Sequence, residues 1–448
     1  MREFMKIQLP EKVKFIIDTI MAAGYEAYAV GGCIRDSILG REPNDWDITT
    51  SATPEQVKVL FRRTIDTGIQ HGTVTVMLDK EGFEVTTYRI DGEYEDSRHP
   101  KEVIFTPDLV EDLKRRDFTI NAMAYNEEDG LVDVFDGMGD MEKGIIRCVG
   151  DPMERFTEDA LRILRAIRFS AQLGYGIEEN TKAAITKLAP NLRNISAERI
   201  QVELTKLLVS PHPDYMEIVY ETGVSAIILP ELDACMKTEQ KHKCHYLSVG
   251  KHILCSLNYV PADKYLRWAA LLHDIGKPDT LTVDEKGITH FYGHPKVSAG
   301  KSREILKRLR FDNDTLHVVC RLVEYHDIGI GAAPDMKRVR RAINKMGEDI
   351  FPMFLQLWYA DIMAQSEYKM DEKLDAVRIW REMYEQIQDK QQCTSLKTLA
   401  VTGGDLIALG MKPGKELGDT LKELLEYVLD HPEENTKEKL LKHVHLTK

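Results

Sequence analysis

The sequence predicts an α+β protein in which a small mixed sheet is followed by a long all-helical region. β-rich runs with alternating apolar residues are concentrated in roughly the first third of the chain. Helical periodicity then dominates from Asp151 to the C-terminus. The 448 residues also amount to about three domains of ordinary size, so several packed units are expected.

The composition is that of an ordinary globular protein from a reducing compartment. Hydrophobic residues make up 43% of the chain and charged residues 30%. The seven cysteines are odd in number, scattered and without a CxxC pair, which argues against a disulfide framework or a cysteine-based zinc site. The N-terminus lacks the apolar core of a signal peptide, and no apolar run is long enough to span a membrane. These features predict a cytoplasmic protein.

The net charge of −13 at first argues against a nucleic-acid partner, because phosphate binding depends on lysine and arginine. The distribution of charge is uneven, however. Residues 141–200 contain ten Lys and Arg against eight Asp and Glu. This segment permits a positive groove in an otherwise acidic chain.

The elements of the first segment follow from its hydrophobic pattern. An amphipathic helix is expected over residues 10–23. Short β-rich runs follow at YEAYAVGG (25–32), DWDITT (45–50), TVTVMLD (73–79) and FEVTTYRI (83–90). The polar, charged stretch 89–107 is expected to be an irregular, mobile loop.

The stretch GGCIRDSILGREPNDWDI combines features of a phosphate-transfer site. Asp45 and Asp47 project to one side of an extended strand, where they repel each other unless a cation lies between them. Gly31 and Gly32 at a strand-to-helix turn allow backbone N–H groups to approach phosphate, and Arg35 adds a donor. This combination predicts a metal pair of the kind that serves phosphoryl transfer.

Glu84 is the candidate for a third carboxylate of this site. It lies in the β-rich run FEVTTYR, which would form a neighbouring strand. Its acidic side chain either completes the metal site or belongs to a solvated outer face, and the pattern leaves both alternatives open.

Several motifs carry a resemblance to a known family. The pattern GG..RD followed by D.D resembles the nucleotidyltransferase signature of the DNA polymerase beta superfamily. RRDFTINAMAY (115–125) and DPMERFTEDALRILRAIRFSAQLGY (151–175) resemble later motifs of the class II tRNA nucleotidyltransferases, which comprise CCA-adding enzymes and bacterial poly(A) polymerases. With ISAERIQVELTKLL (195–208) and VTGGDLIALGMKPGKELGDTL (401–421), the resemblance covers essentially the whole chain.

The resemblance implies a nucleotidyltransferase head over 1–147, a helical neck over 148–215, a helical body over 216–375 and a tRNA-binding tail over 376–448. The implied activity adds CMP, CMP and AMP to the 3′ end of tRNA from CTP and ATP, with Mg²⁺ and without a nucleic-acid template. A poly(A) polymerase or an A-adding enzyme shares these motifs and stays open. An idle RNA-binding protein is disfavoured, because Asp45, Asp47 and Arg162 are all present.

The run EDALRILRAIRF is a candidate nucleotide-binding helix. Arg162, Arg165 and Arg168 recur every three residues, and Asp159 stands three residues before the first, so that all four are expected on one stripe. A carboxylate can accept from the exocyclic amine that CTP and ATP share, and a guanidinium can donate to the ring. The resemblance assigns these roles to Asp159 and Arg162. Arg165 and Arg168 would contact sugar or phosphate, or hold the geometry of the motif.

The RRDF motif supplies the remaining candidates for nucleotide binding. Arg116 matches the position expected to contact the triphosphate, as Gly32 and Arg35 do in the first motif. Asp117 and Asn121 are expected to brace the turn. Asn121 is either a buried amide that satisfies backbone groups or a direct contact with the nucleotide.

A second candidate site contains histidines. The pair His273–Asp274 follows the apolar run YLRWAALL and precedes GKP, which resembles the HD phosphohydrolase domain. The resemblance implies metal ligands at His245, His273, Asp274 and a distant Asp361. Imidazole and carboxylate ligands suit Zn, Mn, Ni or Mg. Either a second divalent metal binds here and supports phosphohydrolase activity, or the fold is retained around an empty site.

The tail contains a glycine-rich segment, GGDLIALGMKPGKELGDTLKELL (403–425), in which glycine turns alternate with helix starts. Backbone N–H groups at such turns can meet RNA phosphates without many basic side chains. This segment therefore predicts tRNA binding by the tail.

Overall fold

The computed structural model describes residues 6–92, 103–244, 246–329 and 333–446, and it confirms the predicted α+β fold class. Its contacts divide the chain into two units, Met1–Pro230 and Glu231–Lys448. The sheet lies in the first unit, and the described residues of the second unit form helices and one short strand pair. No helix among the described residues is both long and apolar enough to cross a bilayer.

The strands of the first unit form one principal sheet and two small pairs. Their bounds are β1 (Ala27–Val30), β2 (Asp47–Thr50), β3 (Thr64–Gly68), β4 (Thr73–Leu78), β5 (Glu81–Thr87), β6 (Arg89–Asp91), β7 (Val103–Phe105), β8 (Ala124–Asn126), β9 (Gly130–Val132), β10 (Ile145–Ile146) and β11 (Gly176–Ile177). The principal sheet has the order β3–β4–β5–β2–β1–β8–β9. It is mixed, as predicted, because β2 and β5 run parallel while the other neighbours are antiparallel.

The expectation of a loop over 89–107 was wrong at both of its ends. Strands β6 and β7 pair antiparallel there, with Ile90 opposite Ile104. Each strand has only three residues, and the pairing of the two ends, which brings Ile90 opposite Ile104, outweighs the polar composition between them. Residues 93–102 lie outside the described residues.

Helices cover the sheet and build the remainder of the first unit. Their bounds are α1 (Glu11–Ala22), α2 (Gly32–Ile38), α3 (Pro54–Leu60), α4 (Leu109–Lys114), α5 (Gly137–Lys143), α6 (Pro152–Glu158), α7 (Leu161–Leu173), α8 (Glu179–Leu188), α9 (Ala197–Leu208), α10 (Met216–Glu221) and α11 (Ser225–Ile228). Helix α1 buries Val13, Ile16, Ile17 and Ile20, the spacing of one helical face, close to where the pattern placed it. Helix α7 packs on α9 through a similar apolar face.

The second unit is built from helices with one strand pair. The helices are α12 (Pro230–Lys237), α13 (Val249–Leu257), α14 (Lys264–Leu272), α15 (Lys277–Thr280), α16 (His294–Arg308), α17 (Asn313–Tyr325), α18 (Met336–Met346), α19 (Phe351–Met363), α20 (Met370–Asp389), α21 (Gly403–Ala408), α22 (Lys415–Asp430) and α23 (Lys437–Leu446). The short strands β12 (Thr282–Val283) and β13 (Thr289–His290) pair antiparallel. Helix α14 is almost entirely buried, so its C-terminal end delivers His273 to the interior.

Candidate active site and metal centre

The predicted carboxylates lie together at one end of strands β2 and β5. Ile48 pairs with Val85 in parallel register, so Asp47 and Glu84 each stand one residue before a paired, buried position. Their side chains therefore point to the face opposite the core. A cavity of about 420 Å³ opens on this face, lined by Asn44, Asp45, Trp46, Asp47, Glu81, Gly82, Phe83 and Glu84.

The electrostatics of this pocket favour a bound cation. Loss of hydration against the surrounding protein raises the pKa of Asp47; Arg116 opposes the shift and Asp45 adds to it. Desolvation likewise raises the pKa of Glu84, and repulsion from Asp47 and Asp45 adds to it. Oxygen donors that repel one another suit a hard divalent cation. Among the described residues, groups of three ligand atoms within 4.8 Å of one another occur only in the second unit. The three carboxylates of this pocket do not form such a group.

The glycine turn before α2 is fixed by its backbone conformation and by Arg116. Gly31 has φ +87°, a region that other residues avoid, and it caps the helix that begins at Gly32. A Cβ atom on Gly31 would lie 3.1 Å from Arg116 Nη1, so the glycine leaves room for this guanidinium.

Arg116 itself is only partly satisfied by protein groups. Its Nη2 lies 3.6 Å from Asp112 Oδ2, and its Nε has no hydrogen-bond partner among the described residues. Burial lowers the pKa of Arg116, although Asp112 and Asp47 both counteract this effect. A guanidinium with an unused donor beside the carboxylate pocket is placed to bind an anionic group.

Arg35 is engaged by protein groups. It donates Nε and Nη2 to the two carboxylate oxygens of Asp36 at 2.9 Å each, and Nη1 to Asn121 Oδ1 at 2.7 Å. Asn121 in turn donates its amide to Asp117 Oδ1 at 3.1 Å. Asn121 is thus a buried amide, as one of the two sequence alternatives held, but its partners are side chains and not backbone groups.

Asp117 connects this network to helix α7. Its carboxylate accepts from Phe118 N at 2.9 Å and from Arg165 Nε and Nη2 at 2.8 and 2.6 Å. Burial opposes ionisation, yet Arg165 and Asn121 hold the pKa of Asp117 down at about 2. Asp117 therefore braces the turn, as expected, and also fixes α7 against it.

Asp159 does not lie on the helical stripe that the sequence predicted. It has φ −136° and ψ 101°, between α6 and α7, and its Oδ1 accepts from Leu161 N at 3.0 Å. An aspartate here caps the start of α7 more favourably than it would extend the helix. Its carboxylate also accepts from Arg199 on α9, with Nη2 to Oδ2 at 2.9 Å.

The three arginines of α7 contact different protein partners. Arg162 donates Nη1 to Glu158 Oε2 at 2.7 Å and Nη2 to the Arg115 carbonyl at 3.0 Å. Arg168 is buried, pairs with Glu203 and lies 3.8 Å above the ring of Phe169. Arg165 pairs with Asp117, so both Arg165 and Arg168 have protein partners that hold α7 in place, and their contact with sugar or phosphate stays a prediction.

In the second unit, the ring of His273 and the carboxylates of Asp274 and Asp361 meet in the interior. His273 Nε2 lies 3.3 Å from Asp274 Oδ2 and 3.7 Å from Asp361 Oδ1. His245 lies outside the described residues. His252 on α13, which the resemblance had not singled out as a ligand, contacts Asp361 Oδ1 at 2.9 Å and His273 Nε2 at 3.3 Å.

Two further histidines extend this group. His294 Nε2 lies 3.2 Å from Asp274 Oδ1, and His326 Nε2 lies 3.7 Å from the same oxygen. We call the six residues the histidine cluster: His252, His273, Asp274, His294, His326 and Asp361. The cluster contains two overlapping ligand groups that share Asp274.

The histidines of the cluster are oriented by backbone carbonyls. Each Nδ1 lies 2.7–3.2 Å from a carbonyl oxygen, for the pairs His252–Ala364, His273–Ala270, His294–Phe291 and His326–Val323. Because a carbonyl only accepts, each Nδ1 carries the proton, and in the neutral ring Nε2 then presents its lone pair to the centre. This is the tautomer of a metal-binding histidine.

Charges inside the histidine cluster are strongly coupled. Although burial opposes it, Lys277 at 2.6 Å and His273 hold the pKa of Asp274 well below its usual range. Burial disfavours the charged ring of His273, but Asp274 and Asp361 raise its pKa to about 10. Burial, with His273 and His294 nearby, lowers the pKa of His326 to about 3.

Two backbone N–H groups at the start of α21, those of Thr402 and Asp405, are bound by the side chains of its cap. Thr402 caps this helix, and Asp405 Oδ2 accepts from Thr402 N at 2.9 Å. The carboxylate of Asp405 thus places a negative charge at this helix start. The expectation that RNA phosphates meet the backbone in the segment 403–425 stays a prediction.

Sequence reasoning missed several residues of both sites. Asp112 could have been found, since it precedes Arg115 and Arg116 at helical spacing. Arg199 and Glu203 gave no local signal, because their partners Asp159 and Arg168 lie 40 and 35 residues away in the chain. His294 and His326 were not among the ligands that the resemblance implied, and they join the cluster through contacts with Asp274.

A mixed head sheet with a glycine turn, a carboxylate pocket and an arginine-rich helix defines the class of this protein as a nucleotidyltransferase. Family models agree: residues 27–147 match the poly A polymerase head domain, 174–236 the RNA and SrmB binding site of polymerase A, and 280–444 the tRNA nucleotidyltransferase domain 2.

The full-length relatives identify the family. The chain is 35% identical to the CCA-adding enzyme of Leuconostoc mesenteroides over 95% of this chain and 94% of that enzyme. It is 37% identical to the CCA-adding enzyme of Levilactobacillus brevis over 93% of each. The crystal structure of the Bacillus stearothermophilus CCA-adding enzyme in complex with CTP is similar with a TM-score of 0.70 and 29% identity, covering 98% of this chain and 99% of that one. The chain belongs to the CCA-adding enzyme family.

Proposed function

We propose that this protein adds CMP, CMP and AMP in turn to the 3′ end of tRNA, using CTP and ATP and releasing pyrophosphate. The observation that carries this proposal is the end-to-end similarity to CCA-adding enzymes, which extends through head, neck and tail. A protein that acts on tRNA in this way works in the cytoplasm, which agrees with its scattered, unpaired cysteines.

The carboxylate pocket is the proposed site of chemistry. Asp45, Asp47 and Glu84 supply hard oxygen donors whose mutual repulsion a divalent cation relieves, and Mg²⁺ is the cation that such donors suit. When bound, a pair of such cations stabilises charge on the attacking and leaving oxygens of the transferring phosphate. The protein's own part is to hold Asp47 and Glu84 on two paired strands, with Asp45 in the turn directly before the first of them.

The glycine turn and Arg116 form the proposed triphosphate site beside that pocket. Gly31 allows the backbone to turn into α2, and Gly32 begins the helix, so that its N–H points outward from the first turn. Arg116 has the unused Nε donor, and its guanidinium lies against the same turn. Arg35 acts indirectly, because it joins α2 to Asn121 and through it to Asp117.

Asp159 and Arg162 are the proposed base-selecting pair. Oδ1 of Asp159 accepts from Leu161 N and Arg199, whereas Oδ2 has a further lone pair after accepting from Arg199 and can accept from the amine of cytosine or adenine. Arg162 on α7 is positioned by Glu158 and by the carbonyl of Arg115, the residue directly before Arg116. Arg165 and Arg168 then keep α7 in register with the head and with α9.

Product sequencing tests this proposed function. Transcripts of tRNA ending at the discriminator base, at C or at CC are incubated with CTP and ATP, and the products are sequenced. We expect each transcript to be completed to CCA and no further. A ladder of A residues, or addition of only the final A, would identify the protein as a poly(A) polymerase or an A-adding enzyme.

The histidine cluster supports a second activity, metal-dependent phosphohydrolysis. Four Nε2 atoms and two carboxylates converge in this site, and His252, His273, Asp274 and Asp361 form its proposed metal site. His273→Ala with Asp274→Ala should abolish metal-dependent release of phosphate from nucleotides while CCA addition continues. Loss of CCA addition in a folded double variant would instead assign the cluster to tRNA handling.

The tail, residues 376–448, is proposed to contribute to tRNA binding. Because Asp405 occupies the start of α21, exposed lysines of the tail are better candidates for phosphate contacts than its glycine turns. Lys412→Glu combined with Lys415→Glu should weaken tRNA binding severalfold and leave ATP binding unchanged. Unchanged tRNA affinity would point to the middle segment.

A further inference from the structure

We propose that Phe169 is a positioning residue of the nucleotide site, because its ring holds three arginines of that site through cation–π contacts. Phe169 lies on α7, and its side chain is buried. It acts through the arginines and not by touching the nucleotide itself. This inference rests on the proposed function and adds to it the residue that joins the triphosphate side of the site to the base-selecting side.

Three guanidinium groups surround the ring of Phe169. The Cζ atoms of Arg168, Arg35 and Arg165 lie 3.8, 5.0 and 5.3 Å from the ring centroid. A cation within about 6 Å of the centroid is attracted by the negative face of an aromatic ring. Among the described residues, every cation–π contact of an arginine is made to this one ring. The ring is therefore the meeting point of three charges.

The three arginines belong to different parts of the nucleotide site. Arg35 lies on α2, the helix that begins at the glycine turn. Arg165 holds Asp117 of the RRDF motif, with hydrogen bonds of 2.8 and 2.6 Å. Arg168 pairs with Glu203 and so joins α7 to α9. The ring thus lies where the elements of the triphosphate site meet the helix that carries the base-selecting arginine.

The charges around the ring require an acceptor that is not itself charged. Each arginine already has one carboxylate partner, in the pairs Arg35–Asp36, Arg165–Asp117 and Arg168–Glu203. The guanidinium groups still repel one another: burial lowers the pKa of Arg168, and the charge of Arg165 adds to this effect, although Glu203 opposes it. An aromatic ring offsets such repulsion without the desolvation cost of a further buried carboxylate.

A second aromatic residue fixes the orientation of the Phe169 ring. Phe118 packs against it edge to face, with ring centroids 5.8 Å apart and an angle of 78° between the planes. Phe118 is fully buried, and its backbone N–H donates to Asp117 at 2.9 Å. An aliphatic side chain at position 169 could fill the same space but would offer the guanidinium groups no negative face. The site therefore requires the aromatic character of Phe169 as well as its bulk.

Fluorination of the ring tests this inference, because fluorine withdraws electron density from the ring face and changes the shape of the ring little. Phenylalanine carrying one, two or three fluorine atoms is introduced at position 169 of the full-length chain through a reassigned stop codon. The dissociation constants of CTP and ATP are measured by calorimetry without tRNA, and the melting temperature is recorded. We expect both constants to rise stepwise, to about tenfold with three fluorine atoms, in protein that remains folded at the assay temperature.

The same series at Phe156 is the matched control, since Phe156 is a fully buried ring of α6 in the same unit. It should leave both dissociation constants unchanged. Constants that stay level across the Phe169 series would overturn the inference, and a falling melting temperature beside level constants would assign the ring to stability alone. Equal rises at both positions would overturn it too. Incorporation of CMP into tRNA by the native protein is measured separately, so a failure of the proposed function is distinguished from a failure of this inference.

Discussion

Arg199 donates two hydrogen bonds to Asp159, with Nη2 to Oδ2 at 2.9 Å and Nη1 to Oδ1 at 3.4 Å. Helix α9 thereby fixes the carboxylate that stands before α7. The Leu161 N–H holds Oδ1 from the other side. The proposed base-selecting carboxylate is therefore oriented before any nucleotide arrives.

Arg199→Ala should reduce the preference for CTP over UTP about tenfold, because Asp159 would lose the fork that fixes its plane. Arg199→Lys keeps the charge but not the planar fork, and it should restore only part of the preference. The measurement is kcat/KM for single-nucleotide incorporation with each triphosphate. Arg193→Ala, at an exposed arginine nearby in sequence, is the control. An equal loss with CTP and UTP would make Arg199 purely structural.

Asp159→Ala should relax the rejection of UTP and GTP while slowing CTP and ATP. In the native site, a base carbonyl of UTP or GTP would face the Asp159 carboxylate, so that two hydrogen-bond acceptors oppose each other. Binding such a base then costs roughly 1–3 kcal/mol. That cost corresponds to discrimination of about tenfold to a hundredfold. Incorporation is compared for all four triphosphates on a tRNA ending at the discriminator base. If all four slow equally, Asp159 serves only to cap α7.

Asp45→Ala or Asp47→Ala should abolish nucleotide incorporation and leave tRNA affinity within a few-fold, because the cations serve the transferring phosphate and not the RNA. Single-turnover incorporation and tRNA binding are measured in parallel. Glu81→Ala is the matched control, since Glu81 lines the same cavity but pairs with Lys12 at 2.8 Å. Substantial turnover in either aspartate variant would remove that residue from catalysis.

Asp117→Asn should lower the free energy of unfolding of the first unit by roughly 2 kcal/mol at neutral pH. This is the stabilisation that corresponds to a carboxyl pKa of 3.8 in the unfolded chain and about 2 in the folded protein. Because the folded-state pKa lies below the unfolded one, this stabilisation is present above pH 4 and is lost as pH falls toward 2. The melting temperatures of the native protein and the variant should differ at pH 7 and converge as the pH is lowered to 2.

Asp66→Asn provides the comparison for that measurement, since Asp66 makes an exposed ion pair with Lys58 that contributes little. A gap between the native protein and Asp117→Asn that stays constant down to pH 2 would show that Asp117 acts through packing.

Gly31→Ala should raise KM for both CTP and ATP by more than tenfold. The alanine must adopt φ +87°, and its methyl group would lie 3.1 Å from Arg116 Nη1, so both the turn and the guanidinium shift. Steady-state kinetics with each nucleotide provide the measurement. Gly40→Ala, at another positive φ with open space around it, controls for backbone strain alone. Equal effects of the two substitutions would argue against a role for the Gly31–Arg116 contact.

The sequence predicted the parts of the head that depend on local pattern. Strand β5 alternates between buried and exposed residues, so the side that carries Glu84 follows from its period of two, and its parallel pairing with β2 places Asp47 at the same end. Short pieces such as β6 and β7 were missed, because three residues give too little pattern and pairing decides their structure.

The partners of the site residues could not be predicted, because they come from distant segments. Asp159 was expected on a helix, and only the fold shows that it caps α7 and meets Arg199. In the second unit, the HD pair was found from its local motif. His252 reaches the cluster because α13 packs against α14 and α19. The spacing of residues along the chain does not predict this packing.

The buried pair of Arg168 and Glu203 has a consequence for the response to ionic strength. Both side chains are more than nine-tenths buried, so dissolved ions screen their attraction far less than that between exposed charges. The proposed tRNA contacts, in contrast, face water and should weaken steeply as counterions compete for the RNA. Added potassium chloride should therefore release the RNA well before the α7–α9 framework loosens, and nucleotide binding should persist at concentrations where turnover has already stopped.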